Sequence, residues 1–292
     1  MATDGIVIGI IGGSGLYEVP GLEGAEWRPA DTPWGAPSDA LLHGTLSGVP
    51  VRFLPRHGRG HVHTPSSVPY RANVAAMKAA GVTHLLSVSA VGSFREEMAP
   101  GDMVVVDQVV DRTQGRASSY FGPGLVAHVS LAHPTCATFS EACARAAEGT
   151  GATVHRGGTY LAMEGPQFSS LAESRIWREV WGCDLVGMTQ MPEARLAREA
   201  ELHYACVALV TDYDSWHPDH GSVGVEDVIA TLTANVGRAR ALVAALPSQV
   251  AGEEGPCPTG CAQALDHAIM TAPEARDPAM LDRLRVVAGR VL

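Results

Sequence analysis

Apolar runs rich in Val, Ile, Leu and Ala constrain this chain most. They fall at 6–11, 51–54, 84–88, 103–106, 159–163, 185–188 and 204–210. Several show no polar alternation, so both faces of each must be covered. Between them lie stretches with helical spacing, at 68–80, 135–149, 169–181, 192–202, 225–246 and 278–287. Strands interleaved with helices specify an α/β fold with a central mixed β-sheet flanked by helices. A chain of 292 residues can bury the core of one such domain. Residues 1–247 are read as that domain. The segment "PSQVAGEEGPCP", 247–258, is rich in Pro, Gly and acid and reads as a surface connection. Residues 248–292 are therefore read as a connection and a helical tail packed on the same domain.

The charge balance narrows the partners. Thirty-one acidic against 21 basic residues give a net charge of −10. A general nucleic-acid binder would show a basic face instead. A local basic pocket for one small anion remains compatible. No run of 18 apolar residues marks a membrane span. The start, "MATDGIVIGIIGGSG", lacks a charged leader region and a cleavage site, so the expected location is cytoplasmic. Cys136, Cys143, Cys183 and Cys206 sit in apolar or helical contexts and read as buried thiols. Cys257 and Cys261 bracket "CPTGC". That pair suits a small disulfide, a metal with partners elsewhere, or two free thiols, and a cytoplasmic compartment favours the reduced form.

Several strand ends carry polar chemistry. "IGGSG" puts glycines after the first strand, where backbone amides can approach an anion and Ser14 adds a hydroxyl. It is neither a dinucleotide fingerprint nor a P-loop, and a plain tight turn explains it as well. "LPRHGRGHVH", 54–63, groups Arg56, His57, Arg59, His61 and His63. Arginine offers a two-pronged donor to phosphate, and histidine can add one more. The rivals are a metal held by His57, His61 and His63, and a solvated basic loop. "SVSAVGS", 87–93, ends a strand in small residues that let a ligand touch backbone, or merely turns. In "MEGPQFSS", Glu164 leads into a Gly-Pro turn, Ser169 is placed to cap the next helix, and Phe168 suits either ring stacking or core packing. "VGMTQMPEA" offers the Thr189 hydroxyl and the adaptable Met188 side chain.

The stretch "LVTDYDSW", 209–216, ends an apolar strand with Asp212 and Asp214. On an extended strand, residues two apart point the same way. Two close carboxylates raise one pKa, so one donates while the other accepts. The N7 and N6–H edge of adenine needs that pairing. Surface or helix-capping acids are the plain alternative.

Together these stretches resemble the trimeric purine nucleoside phosphorylases, most closely their 5′-methylthioadenosine branch. The likeness covers about 6–246. It rests on "IGIIGGSGLY", "PRHGRGH", "GSFREEMAPGDMVVVDQVVDRT", "EGPQFSSLAES", "MTQMPEARLAREAELHYA" and "VTDYDSW", in that order. The resemblance implies a phosphate site at Ser14, Arg56, His57, Ala90 and Thr189. It implies ribose near Met188 and His61, and the base near Phe168, Ser169, Asp212 and Asp214. A 5′ pocket would use Val225, Val228 and Ile229, and His128 would reach into a neighbouring subunit of a homotrimer. Both acid positions being Asp favours 6-aminopurines over 6-oxopurines. Phosphate is then a co-substrate, and neither a metal nor an organic cofactor is implied. Ser14 stands where the family often has Thr, His63 has no counterpart role, and the tail after Pro247 is less familiar.

Overall fold

The computed structural model describes residues 5–13, 16, 18–218, 224–251 and 257–292. Among them, eleven strands form one mixed sheet. They are β1 (Ile8–Gly12), β2 (Glu23–Arg28), β3 (Leu41–Leu46), β4 (Val49–Pro55), β5 (His84–Ser93), β6 (Met103–Val106), β7 (Gln108–Arg112), β8 (Val154–Arg156), β9 (Thr159–Met163), β10 (Leu185–Gly187) and β11 (His203–Asp212). The flanking helices are α1 (Tyr70–Ala79), α2 (Ala137–Glu148), α3 (Leu171–Arg175), α4 (Gln190–Glu199), α5 (Val225–Val250) and α6 (Pro278–Ala288). The main path runs β2-β3-β4-β1-β5-β10-β9-β7, with β11 joining β5 to β6 and β6 pairing β8.

The unalternating runs are buried as their composition demands. β1, β6 and β10 are buried at every position. β11 shows why. Cys206, Ala208 and Val210 face the core cluster shared with α1, α4 and α6. Ala205, Val207 and Leu209 face the cluster shared with α2 and α5. Each buried Val or Leu on either face stabilises the fold by roughly 1.5–3 kcal/mol relative to exposure. The tail belongs to the same cores: Leu265, Ala268, Leu284 and Val287 join the first cluster and Cys261 the second.

Four departures from the sequence reading are physical. β2, "EGAEWR", is almost wholly exposed, so it carries no apolar signal. The span 169–181 is not one helix: α3 gives way to a π-helical turn at Ile176–Val180. The cap there is Ser170, not Ser169, because Ser170 and Glu173 form a reciprocal capping box. α5 runs through Pro247 to Val250, so the surface connection starts later than the proline suggested.

β5 is the trunk of the sheet. Its first residues pair with β1 from His84 to Ser87, and its last with β10 at Gly92 and Ser93. Among the described residues, 88–91 have no strand on that side. The sheet splits there, at a change of topology. In open α/β sheets, ligands bind at such switch points, beyond the carboxyl ends of the strands.

Candidate active site

The acid pair sits at this split. β11 carries a bulge at Thr211, so Asp212 rather than Thr211 pairs with Gly92. A bulge re-aims the residue that follows it. Asp214 does not extend the strand: it has φ 49° and opens a 3-10 turn, Asp214–Trp216. The two side chains therefore meet through a turn, not along one strand face as the spacing suggested. The Asp214 N–H donates to Asp212 Oδ1 at 2.8 Å. Gly92 makes the meeting fit. A Cβ there would lie 2.8 Å from Asp212 Oδ1, 3.1 Å from Val186 Cγ1 and 3.2 Å from Asp214 Cβ.

The two acids have different surroundings. Asp214 is 4% exposed, and both its oxygens accept from Ser169 Oγ, at 2.5 and 2.6 Å. Burial pushes the Asp212 carboxyl above the usual carboxylate range, and the charge of Asp214 adds to that only slightly. Two hydrogen bonds oppose that rise: Thr211 Oγ1 donates to Asp212 Oδ2 at 2.7 Å, and the Asp214 N–H donates to Oδ1, both favouring the charged carboxylate. The turn itself is pinned from outside. Trp216 Nε1 donates to Ser93 O at 2.7 Å, Ser215 Oγ donates to Ser169 O at 2.9 Å, and Arg178 lies 3.9 Å over the Trp216 ring.

On the other side of the split lie the residues of "PRHGRGH". Arg56 is 2% exposed. Its Nε and Nη2 grip Glu193 Oε2 and Oε1 at 3.0 and 3.2 Å, and Tyr204 OH donates to Glu193 Oε1 at 3.0 Å. Nη2 also reaches Ile11 O and Ser87 Oγ, and Nη1 donates to Val88 O at 3.0 Å. The fork expected for an anion therefore grips a carboxylate, and one Nη1 N–H is left over among the described residues. Arg59 turns away, pairing with Asp39 and lying 4.3 Å over Trp27. His57 Nδ1 donates to His63 O at 2.9 Å, and the His57 ring stacks on His61 at 4.4 Å. Burial, then the Arg56 charge, lowers the His57 pKa to about 4. At neutral pH His57 is thus the neutral Nδ1–H tautomer, and its Nε2 is an acceptor. With Nδ1 committed, the three histidines do not assemble a metal cluster among the described residues.

Thr189 opens α4 and is 6% exposed. Its Oγ1 lies 3.2 Å from Ser89 Oγ, and Tyr160 OH lies 3.3 Å from that same Ser89 oxygen. This chain of hydroxyls stands beside Ala90, on the stretch of β5 that lacks a strand on that side. Met188 and Phe168, half-buried and 40% exposed respectively, lie on the neighbouring loops. His61, at φ 56°, is exposed, as is His128, whose N–H donates to Ala268 O. Ile229 on α5 is 56% exposed. Ser14 and the side chains of Val225 and Val228 lie outside the described residues.

Sequence reasoning missed the residues that hold this site together. Arg116 is the main one. Its Nη1 donates to Met188 O at 2.6 Å and Met191 O at 2.8 Å, its Nη2 to Glu164 O at 2.7 Å, and it lies 5.5 Å over Tyr70. It locks the Glu164 and Met188 loops to α1. Glu164 also accepts from Ser66 Oγ and Gln114 N. Nothing local in "DRTQGR" marks Arg116, because all its partners are distant in sequence. Gly187 was equally silent, although a Cβ there would stand 2.0 Å from Tyr160 OH.

The profile of the phosphorylase superfamily matches residues 7–247. The S-methyl-5′-thioadenosine phosphorylase of Cereibacter sphaeroides is 64% identical over 286 residues, covering 98% of each chain. A solved methylthioadenosine phosphorylase from an Antarctic soil metagenomic library is 44% identical at TM-score 0.90, over 96% of this chain and 98% of that one. A mutant of the adenosine/methylthioadenosine phosphorylase of Schistosoma mansoni, solved with methylthioadenosine, is 36% identical at TM-score 0.78, over 85% and 93%.

Proposed function

The chain belongs to the phosphorylase superfamily, and we propose that it catalyses the reversible phosphorolysis of S-methyl-5′-thioadenosine to adenine and 5-methylthioribose 1-phosphate. One observation carries this reading. Asp212 and Asp214 converge over Gly92, next to the stretch of β5 that lacks a strand on one side, where Arg56 bonds Val88 O, Thr189 Oγ1 meets Ser89 Oγ, and His57 follows Arg56.

Asp212 is the general acid. Burial raises its pKa, which favours the protonated form that can pass a proton to adenine N7 as the glycosidic bond lengthens. Asp214, oriented by Ser169, accepts from N6–H. A 6-oxopurine would set O6 against that carboxylate, at a cost of about 1–3 kcal/mol. Phe168 stacks on the base. Inorganic phosphate is the nucleophile on an oxocarbenium-like ribosyl group, so no organic cofactor or catalytic metal is needed. Thr189, Ser14, the Ala90 backbone and the spare Nη1 N–H of Arg56 hold the phosphate. The acceptor Nε2 of His57 selects a protonated phosphate oxygen. Fixing phosphate below C1′ makes the attack effectively unimolecular and lets its charge stabilise the developing cation. Met188 and His61 line the ribose. Val225, Val228 and Ile229 take the 5′ methylthio group, with His128 supplied by the neighbouring subunit of a homotrimer. The enzyme works in the cytoplasm in purine and methionine salvage. Among the described residues, no helix is long and apolar enough to cross a membrane.

Chromatography of methylthioadenosine incubated with enzyme, with and without phosphate, tests the proposal. Adenine and a phosphorylated methylthioribose form only with phosphate. Adenine formed without phosphate would make this a hydrolase. Cleavage of adenosine alone would reassign the 5′ pocket to a hydroxyl.

A further inference from the structure

A second cluster of reactive side chains lies at the opposite end of β11. Cys136 is the N-cap of α2, His203 is the first residue of β11, and Cys257 and Cys261 flank the turn "CPTGC" in the tail. One donor atom from each lies within 4.8 Å of all the others. Cys136 Sγ is 3.2 Å from His203 Nδ1 and 3.4 Å from Cys257 Sγ, and Cys257 Sγ is 3.4 Å from Cys261 Sγ. A tetrahedral zinc with three thiolates and one imidazole sets its ligand atoms about 3.5–3.8 Å apart. The sulfurs are too far apart to be bonded as disulfides, and all six cysteines are free.

The surroundings point the same way. Thr138 Oγ1 and Phe139 N lie 3.2 and 3.5 Å from Cys136 Sγ. Thr259 Oγ1 lies 3.0 Å from Cys257 Sγ and 3.2 Å from Cys261 Sγ. Arg198 Nη1 reaches Cys261 Sγ at 3.4 Å while its Nη2 donates to Thr259 O at 2.7 Å. Such donors orient metal-bound thiolates. The His203 ring is held by stacking on His84 at 4.5 Å. Gly260, at φ 60°, lets the turn reverse so that both cysteines face inward.

We propose that Cys136, His203, Cys257 and Cys261 bind one structural zinc ion that fastens the C-terminal tail to the body of the fold. Three residues separate Cys257 from Cys261, within the usual spacing of a zinc-binding cysteine pair. Four protein ligands close the coordination shell and leave no position for substrate, the pattern of structural sites. Ten residues of β11 place the ion about 30 Å from Asp212, outside the chemistry. On binding, three Zn–S bonds replace three S–H bonds, and three protons pass to solvent. No electron moves. The site also assigns a role to "CPTGC", which the phosphorylase reading leaves without one.

The test is metal analysis of the full-length enzyme, expressed with added zinc and purified without chelators. The expected result is about one zinc per chain. It falls below about a tenth in the Cys257→Ser/Cys261→Ser double variant. Exchange of zinc for Co²⁺ should give the intense visible bands and thiolate charge transfer of a tetrahedral Cys₃His site. Zinc that persists in the double variant would overturn the assignment. So would zinc-free wild-type protein that also refuses Co²⁺, or an intact mass two hydrogens low with a Cys257–Cys261 linkage on peptide mapping. If the variant fails to fold, metal content and the cobalt spectrum of the wild type decide alone.

Discussion

Replacing Gly92 by alanine tests the site where it is tightest. The added methyl would stand 2.8 Å from Asp212 Oδ1, and real Cβ contacts rarely fall below 3.4 Å. The carboxylate must therefore retreat by about 0.6 Å, or the strand must shift. Gly92 does not use a glycine-only backbone angle, so the effect is one of space alone. Asp212 cannot retreat without stretching its 2.8 Å contact with the Asp214 N–H, so both acids move together. A misplacement near 1 Å can cost about 10²-fold in rate. The expected loss in kcat is about 10–100-fold on methylthioadenosine. Overpacking should cost about 1–3 kcal/mol of stability, a fall in Tm of several degrees. Adenine release under saturating phosphate, with a thermal melt on the same sample, separates the two effects. A folded Gly92→Ala enzyme with kcat within twofold of wild type would show that the acids need no such positioning.

Three further outcomes follow from the same geometry. Asp212→Asn should lose about 10²–10⁴ in kcat with little change in nucleoside binding, since an amide brings no proton to N7; initial-rate kinetics that leave kcat intact would remove Asp212 as the acid. Arg56→Ala strands a Glu193 that is 1% exposed, which should cost about 3–5 kcal/mol and lower Tm by roughly 10 °C, while an unchanged Tm would mean the ion pair is not structural. His57 is held near pKa about 4 in the fold against 6.5 when unfolded, so below pH 6.5 the unfolded chain takes the proton first and stability falls with pH. Between pH 7.5 and 4.5 wild type should lose about 2–3 kcal/mol more than His57→Gln by denaturant melts, and parallel pH profiles would refute the burial of a neutral imidazole.

The parts legible in the sequence were those whose cause is local. β6 and β9 fall where their apolar runs do, because burial on both faces leaves a signature in every residue. β2 sits on an exposed edge and β8 is three residues long, so neither needs an apolar pattern. The acid pair was legible as two neighbouring carboxylates at a strand end but not as geometry. Spacing along an ideal strand brings residues two apart to one face. The chain instead bulges at Thr211 and turns left-handed at Asp214, a conformation that Asp tolerates better than most residues. The two carboxylates arrive together by a route that strand periodicity does not describe.

Arg56 marks a deeper limit. Residue type and motif position both announced an anion ligand, and the structure places the side chain against Ile11 of β1 and Ser87 and Val88 of β5. Yet its fork is closed on Glu193, 137 residues away, with Ser87 and two backbone carbonyls completing the shell. A buried guanidinium must be paired where it lies, because leaving its charge desolvated costs several kcal/mol. An arginine that spent its fork on phosphate would face that cost each time product left. Committing the fork to Glu193 ties β1, β4, β5 and α4 together and leaves one Nη1 N–H for the phosphate we propose. The site can then stay preorganised when empty. The partner that makes this possible is a glutamate in "MPEARLARE" that reads, in sequence, as an ordinary helix residue.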